Sequence, residues 1–173
     1  MAEFDGLKAI FFNGTLKKSP ETSNTQGLMD ASIKLMRDNG VEVEVIRTID
    51  HPIASGVQPD MREHGWDEDA WPDLFKKVKA ADIIVVCGPI WLGDNSSQTK
   101  LLIERLYSNS ADLNDKGQYV YYGKVGGCII TGNEDGVKPP MPVGSARSAP
   151  VPAIWMKAQA ARRAISPTAT PLS

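Results

Sequence analysis

Leu7-Lys8-Ala9-Ile10-Phe11-Phe12 runs into Asn13-Gly14-Thr15-Leu16-Lys17-Lys18-Ser19, and Ser23-Asn24-Thr25 then opens a helical pattern. A short, nearly continuous apolar run fits a central strand of a parallel sheet, covered on both faces. The polar segment predicts a loop, and Ser23, Asn24 and Thr25 predict a helix N-terminus. Such a unit brings together hydroxyls, free backbone N–H groups and the positive end of a helix dipole, which suits an anion. No Gly-Lys-Ser/Thr follows at Walker-loop spacing, and the segment is not a G-x-G-x-x-G dinucleotide fingerprint. A hydroxyl-rich loop for one terminal phosphate remains, such as that of flavin mononucleotide (FMN). A capped helix after an ordinary polar loop fits the same residues, because Ser, Thr and Asn are preferred N-caps.

Outward from this unit, strand and helix patterns alternate. Leu28, Ala31, Leu35 and Met36 recur at helical spacing, and Asp38-Asn39-Gly40 supplies a stop. Val41-Glu42-Val43-Glu44-Val45 alternates strictly, as a strand with one wet face near a sheet edge does. Residues 51–65 hold Pro52, Gly56, Pro59 and Gly65 and read as a long loop. A helix is expected over 67–80, with Trp71, Leu74, Phe75 and Val78 on one face. Residues 82–87 form the most apolar strand and belong at the sheet centre. A loop is expected over 88–95, then a helix capped by Ser96 or Ser97 and carrying Leu101, Leu102, Ile103 and Leu106. Residues 125–131 predict a fourth strand, followed by the loop 132–136. This β-α-β-α-β-α-β order calls for a doubly wound parallel sheet. Ligands of such sheets bind beyond the carboxyl ends of the strands. The loops 13–25, 89–95 and 131–136 would meet there.

The 173 residues suit one domain with a real core. No apolar stretch is long enough to span a bilayer, and the acidic N-terminus lacks a signal peptide's basic start, so a cytoplasmic protein is expected. A net charge of −2 argues against a nucleic-acid partner. Cys87 and Cys128 lie in apolar runs and read as buried small hydrophobes rather than a disulfide. With His51 and His64 they make a poor metal set, and none is expected. The composition then changes abruptly after Lys138. All 21 acidic residues precede that point, whereas residues 139–173 hold seven of the twelve prolines, with Arg147, Lys157, Arg162 and Arg163.

Residues 6–138 resemble the flavodoxin-like NAD(P)H-dependent FMN reductases. The resemblance rests on Asn13-Gly14-Thr15-Leu16-Lys17 with Ser23-Asn24-Thr25, on Gly88-Pro89-Ile90-Trp91-Leu92-Gly93 leading into Ser96-Ser97-Gln98, and on Thr131-Gly132-Asn133-Glu134-Asp135-Gly136. It implies a flavodoxin-like fold and FMN as cofactor, with NAD(P)H as electron donor. Thr15, Lys17, Ser23, Asn24 and Thr25 would surround the FMN phosphate. Pro89, Ile90, Trp91, Leu92 and Gly93 would lie along the isoalloxazine ring, and Thr131, Gly132, Asn133 and Glu134 would close the third side. Hydride would pass from NAD(P)H to flavin N5 and electrons onward to a flavin, a quinone or a similar small acceptor. No side chain need act as acid or base, so no catalytic residue is named. Core packing of Trp91, a solvated Lys17 and a plain polar turn at Glu134-Asp135 are the plainer readings of the same residues.

Family members continue beyond this point with a helix, a fifth strand and a Gly/Pro-rich end. Here the pattern breaks, which predicts a domain of four strands over 1–138 and an atypical tail over 139–173, irregular or with a lone helix over 153–165. Synonymous codons for the tail, read from the third base of the first codon, yield a text similar to the usual end of these flavoproteins. An out-of-frame reading, joined after loss of the fourth helix and fifth strand, is therefore expected, and the strand over 125–131 would become an open edge. Two other functions fit the chain: a flavodoxin-like electron carrier that takes no hydride, docking through its acidic surface, or a remnant that binds no flavin. A homo-oligomer is compatible with all three.

Overall fold

A computed structural model describes residues 4–132 and 154–155 of the chain. The period-2 burial of the first strand sets the architecture. In β1 (Lys8–Asn13), Ile10 and Phe12 enter one core and Ala9 and Phe11 the other. β1 pairs in parallel with β2 (Glu42–Arg47) on one side and β3 (Ile83–Trp91) on the other, and β3 pairs in parallel with β5 (Val125–Thr131). The parallel order is β2-β1-β3-β5, the flavodoxin-like arrangement. The alternating strand β2 is the wet edge, with Glu42 and Glu44 exposed.

One helix lies on the Ala9 and Phe11 face. α1 (Asn24–Asp38) is capped by Ser23, whose side chain accepts from the Gln26 N–H, and it buries Met29 and Ile33 there. On the opposite face, α2 (Trp71–Ala80) and α3 (Ser97–Ser108) bury Trp71, Leu74, Phe75, Val78 and Leu102 against Ile10, Phe12 and Ile84. Phe12, Trp71 and Phe75 form a run of tilted ring contacts at 6.4 and 5.9 Å between centroids. Among the described residues, a cleft beside α1 is bordered by Ile83, Val85, Val125 and Gly127. Cys87 is buried and Cys128 half-buried. Burial pushes both thiols above their ordinary range.

Four expectations change. β3 continues to Trp91 instead of stopping at residue 87, because Gly88 and Pro89 still pair with Ile130 and Thr131 of β5. Trp91 and Asp94 then close a tight antiparallel turn onto β4 (Asp94–Asn95). α2 starts at Trp71 rather than 67, because the Asp69 carboxylate takes the Trp71 N–H and Pro72 occupies the first turn. In α3, Ile103 is 40% exposed while Arg105 is fully buried. Finally, Ile154–Trp155 (β6) is extended rather than helical and pairs antiparallel with Cys128 and Ile129. The open edge of β5 offers unpaired backbone groups to any extended segment, and here the tail supplies one. The rest of the lone helix expected over 153–165 lies outside the described residues.

Arg105 is held by a buried network. Its guanidinium donates to Asp69 at 2.7 Å and to the carbonyls of Gln58 and Pro59 at 2.6 and 3.2 Å. It also lies 5.7 Å from the Trp71 ring. The same Asp69 carboxylate accepts the N–H groups of Ala54, Met61 and Trp71. Removing one member of a buried ion pair leaves the other charge desolvated and unpaired. Asp69→Ala should therefore destabilise the protein by about 3–5 kcal/mol, read as a fall in the urea midpoint of unfolding.

Candidate functional site

β1, β3 and β5 are neighbours, so the segments leaving their carboxyl ends are neighbours too. Hydrogen bonds and close packing join all three. The Gly14 N–H donates to the Cys87 carbonyl at 2.6 Å, and the Ser96 hydroxyl donates to the Gly14 carbonyl at 2.8 Å. The hydroxyls of Thr25 and Thr131 meet at 2.9 Å, which ties the start of α1 to the end of β5. A Cβ on Gly132 would meet the Ile90 side chain at 3.3 Å, so the third segment lies against the second. Gly14 and Gly88 make the junction possible. A Cβ on either would run into the Thr99 hydroxyl from the first turn of α3.

The first loop offers donors. Thr15, Ser23 and Thr25 are buried, while Lys17 and Asn24 are exposed. Ser23 caps the helix, and the Thr15 hydroxyl accepts the Lys17 N–H at 3.3 Å. Asn24 and Thr25 open α1, where their N–H groups have no intrahelical acceptor. The loop therefore exposes helix-start N–H groups beside hydroxyls, a combination suited to a phosphate. The exposed Lys17 ammonium donates to the Thr22 carbonyl of its own loop at 3.0 Å.

The second segment offers an apolar ledge. Trp91 is 40% exposed and Leu92 96% exposed, so the core reading of Trp91 does not hold. Ile90 is buried, and its side chain points into the protein. Leu92 and Gly93 have φ of +52° and +78°, the primed two-residue hairpin turn. A leucine in this left-handed region carries strain of order 1 kcal/mol. Strain of this kind gathers at ligand-binding segments. Pro89 is half-buried at the base of the ledge. Thr131 ends β5 and Gly132 follows it; Asn133 and Glu134 lie outside the described residues. An exposed apolar segment and a donor-rich loop at the same end of the sheet suit a flat heteroaromatic ring with a phosphate arm, which is the chemistry of FMN.

The family model of NADPH-dependent FMN reductases matches residues 7–138. The chain belongs to this family. FMN is the family's cofactor, and its members are flavin oxidoreductases. A relative from Streptomyces davaonensis, 8-demethyl-8-aminoriboflavin-5'-phosphate synthase, is 39% identical over 137 residues, which cover 75% of this chain and 52% of that protein. The solved structure of RosB with its bound intermediate 8-demethyl-8-formylriboflavin-5'-phosphate aligns with a TM-score of 0.67 at 40% identity, covering 75% of this chain and 54% of RosB. A Mycobacterium bovis protein named divalent metal cation transporter MntH is 62% identical over 135 residues, which cover 78% of this chain and 20% of that protein. The chain thus spans about half the length of the synthase and a fifth of the transporter. No helix among the described residues is long and apolar enough to cross a membrane.

Sequence reading did not find the supports beneath the loops. Buried Asn13 takes the Thr15 N–H on its side-chain oxygen and donates to Gln26 at 3.0 Å. Ser96 and Thr99 share a hydroxyl contact at 2.9 Å under Gly14. A polar residue ending an apolar strand is the one local signal that pointed to Asn13. Packing at Gly88 is the sharper test. Gly88→Ala should cost about 1–3 kcal/mol, and adding Thr99→Ala should recover part of that loss in thermal unfolding, because it removes the colliding atom.

Proposed function

We propose that FMN binds across the three segments, its phosphate at the first loop and its ring along Pro89–Gly93, within a flavodoxin-like domain of about residues 1–138 to whose sheet edge the tail adds the strand Ile154–Trp155. The observation that carries this reading is the mutual tie of the three segments at one end of the sheet. In this arrangement Ser23 and the opening N–H groups of α1 hold the phosphate, with Thr15, Lys17, Asn24 and Thr25 around it. The exposed Trp91 and Leu92 give the ring an apolar contact, and Ile90 contributes through its backbone. Thr131, Gly132, Asn133 and Glu134 close the third side. Bound FMN supplies hydride and electron transfer. The chain's part is to orient the flavin and limit access to it. The donor is NAD(P)H, and the acceptor is a flavin, a quinone or a similar small molecule.

A second reading is favoured by the 39% identity to a synthase that acts on a flavin phosphate. There the bound flavin is itself the substrate. Mass analysis of the flavin recovered after turnover separates the two, since an unchanged FMN mass supports the reductase.

Reconstitution with FMN should give NADPH oxidation that depends on an added acceptor. Flavin binding without nicotinamide oxidation would instead identify an electron carrier, and absence of binding a remnant. Changing Ser23 and Asn24 together to alanine should weaken FMN strongly, since each hydrogen bond to a charged group contributes about 1.5–3 kcal/mol. Trp91→Ala should weaken FMN and raise the fluorescence of the bound flavin. A variant that binds FMN normally and merely melts earlier would remove Trp91 from the site.

A further inference from the structure

The outer arc of the first loop, residues 16–22, is exposed along its whole length. Arg47 at the end of β2 and Asp50 in the turn that follows tie it to the body. Arg47 Nη1 donates to the carbonyls of Lys17 and Glu21 at 3.3 and 3.0 Å. Asp50 accepts the Ser19 N–H at 3.0 Å and the Ser19 hydroxyl at 2.6 Å. The Lys17 ammonium holds a third carbonyl, that of Thr22. In a planar trans peptide the N–H points opposite to the carbonyl. Gripping the carbonyls of Lys17 and Glu21 therefore turns the N–H groups of Lys18 and Thr22 away from Arg47. Gripping Thr22 does the same for Ser23. The N–H groups of Thr22 and Ser23 are successive and run into the opening N–H groups of α1, and successive N–H groups presented together form an anion-binding concavity.

We propose that Arg47 and Asp50 are positioning residues that give this site its preference for phosphorylated flavin: they hold the arc so that backbone N–H groups, rather than cationic side chains, serve the phosphate. The inference rests on the FMN reading above. It reassigns Lys17 from direct phosphate contact to a carbonyl clamp. It also makes a distinctive electrostatic statement about Asp50. A carboxylate near an anion site weakens binding by repulsion if it acts through charge alone. A carboxylate that holds the loop strengthens binding despite its charge.

The test is titration of FMN and of riboflavin, followed by flavin fluorescence, on the full chain and on Arg47→Met, Asp50→Asn and the Ser23→Ala/Asn24→Ala pair, with thermal unfolding of each. Arg47→Met should weaken FMN by about tenfold or more and change riboflavin by less than about twofold. Asp50→Asn should also weaken FMN selectively, although it removes a negative charge. Equal losses for both flavins, or no loss for FMN, would assign Arg47 a merely structural role. Tighter FMN binding by Asp50→Asn would show that charge, not positioning, governs the site. Asp50→Asn keeps the test open should Arg47→Met fail to fold. If the wild-type chain does not prefer FMN over riboflavin, the phosphate-site reading itself fails. If the Ser23/Asn24 pair weakens FMN and the Arg47 and Asp50 variants do not, only the present inference falls.

Discussion

The buried ion pair between Asp69 and Arg105 is the constraint from which the rest of the molecule takes its shape. Two opposite charges with no exposed side-chain surface carry a desolvation cost of several kcal/mol each, and only close partners offset it. The chain provides them by bending residues 54–61 so that carbonyls face Arg105 and N–H groups face Asp69. A long stretch without regular structure is thereby fixed by polar contacts. Trp71 follows from the same pair: Asp69 holds its N–H, Arg105 lies beside its ring, and Asn109 accepts its indole N–H at 2.8 Å.

α3 carries this constraint to the site. Its first turn, through Ser96 and Thr99, grips Gly14 and crowds Gly88. Its last turns, through Arg105 and the following Asn109, grip the loop 54–61 and Trp71. The helix is a strut fastened at both ends, and the segments leaving β1 and β3 are fastened to one of them. β2 is the second support. It is an edge strand with a wet face, yet Arg47 at its end and Asp50 just beyond hold the most exposed arc of the first loop.

Patterned apolar residues were legible in the sequence. The runs at 7–12 and 82–87, the strict alternation at 41–45 and the cap at Ser23 all report local preferences that tertiary packing reinforces. What stayed illegible depends on partners far along the chain. Arg105 reads as the polar face of a helix, and nothing beside it announces an aspartate 36 positions earlier. Arg47 and Asp50 reach loop residues 26 to 31 positions away. Gly88-Pro89 reads as loop punctuation, but β5 supplies a pairing partner that overrides the local signal. At the site, the loop positions were readable because strand ends announce them. The hidden supports were not, because Thr99 and Arg47 act on atoms that the linear text does not place nearby.

The junction of Gly14, Gly88 and Thr99 bears on how such a protein diverges. Each glycine is confined by a hydroxyl contributed from a third place, so the three positions share one small volume. A methyl group gained at 88 is tolerable only where the occupant of 99 has already shrunk, whereas at 14 it would still meet the Cys87 carbonyl at 3.1 Å and the backbone nitrogen of residue 99 at 3.2 Å. Lineages descending from a common ancestor should therefore change 88 and 99 in a fixed order, with 99 first. The packing of three atoms becomes a rule about the sequence of historical steps.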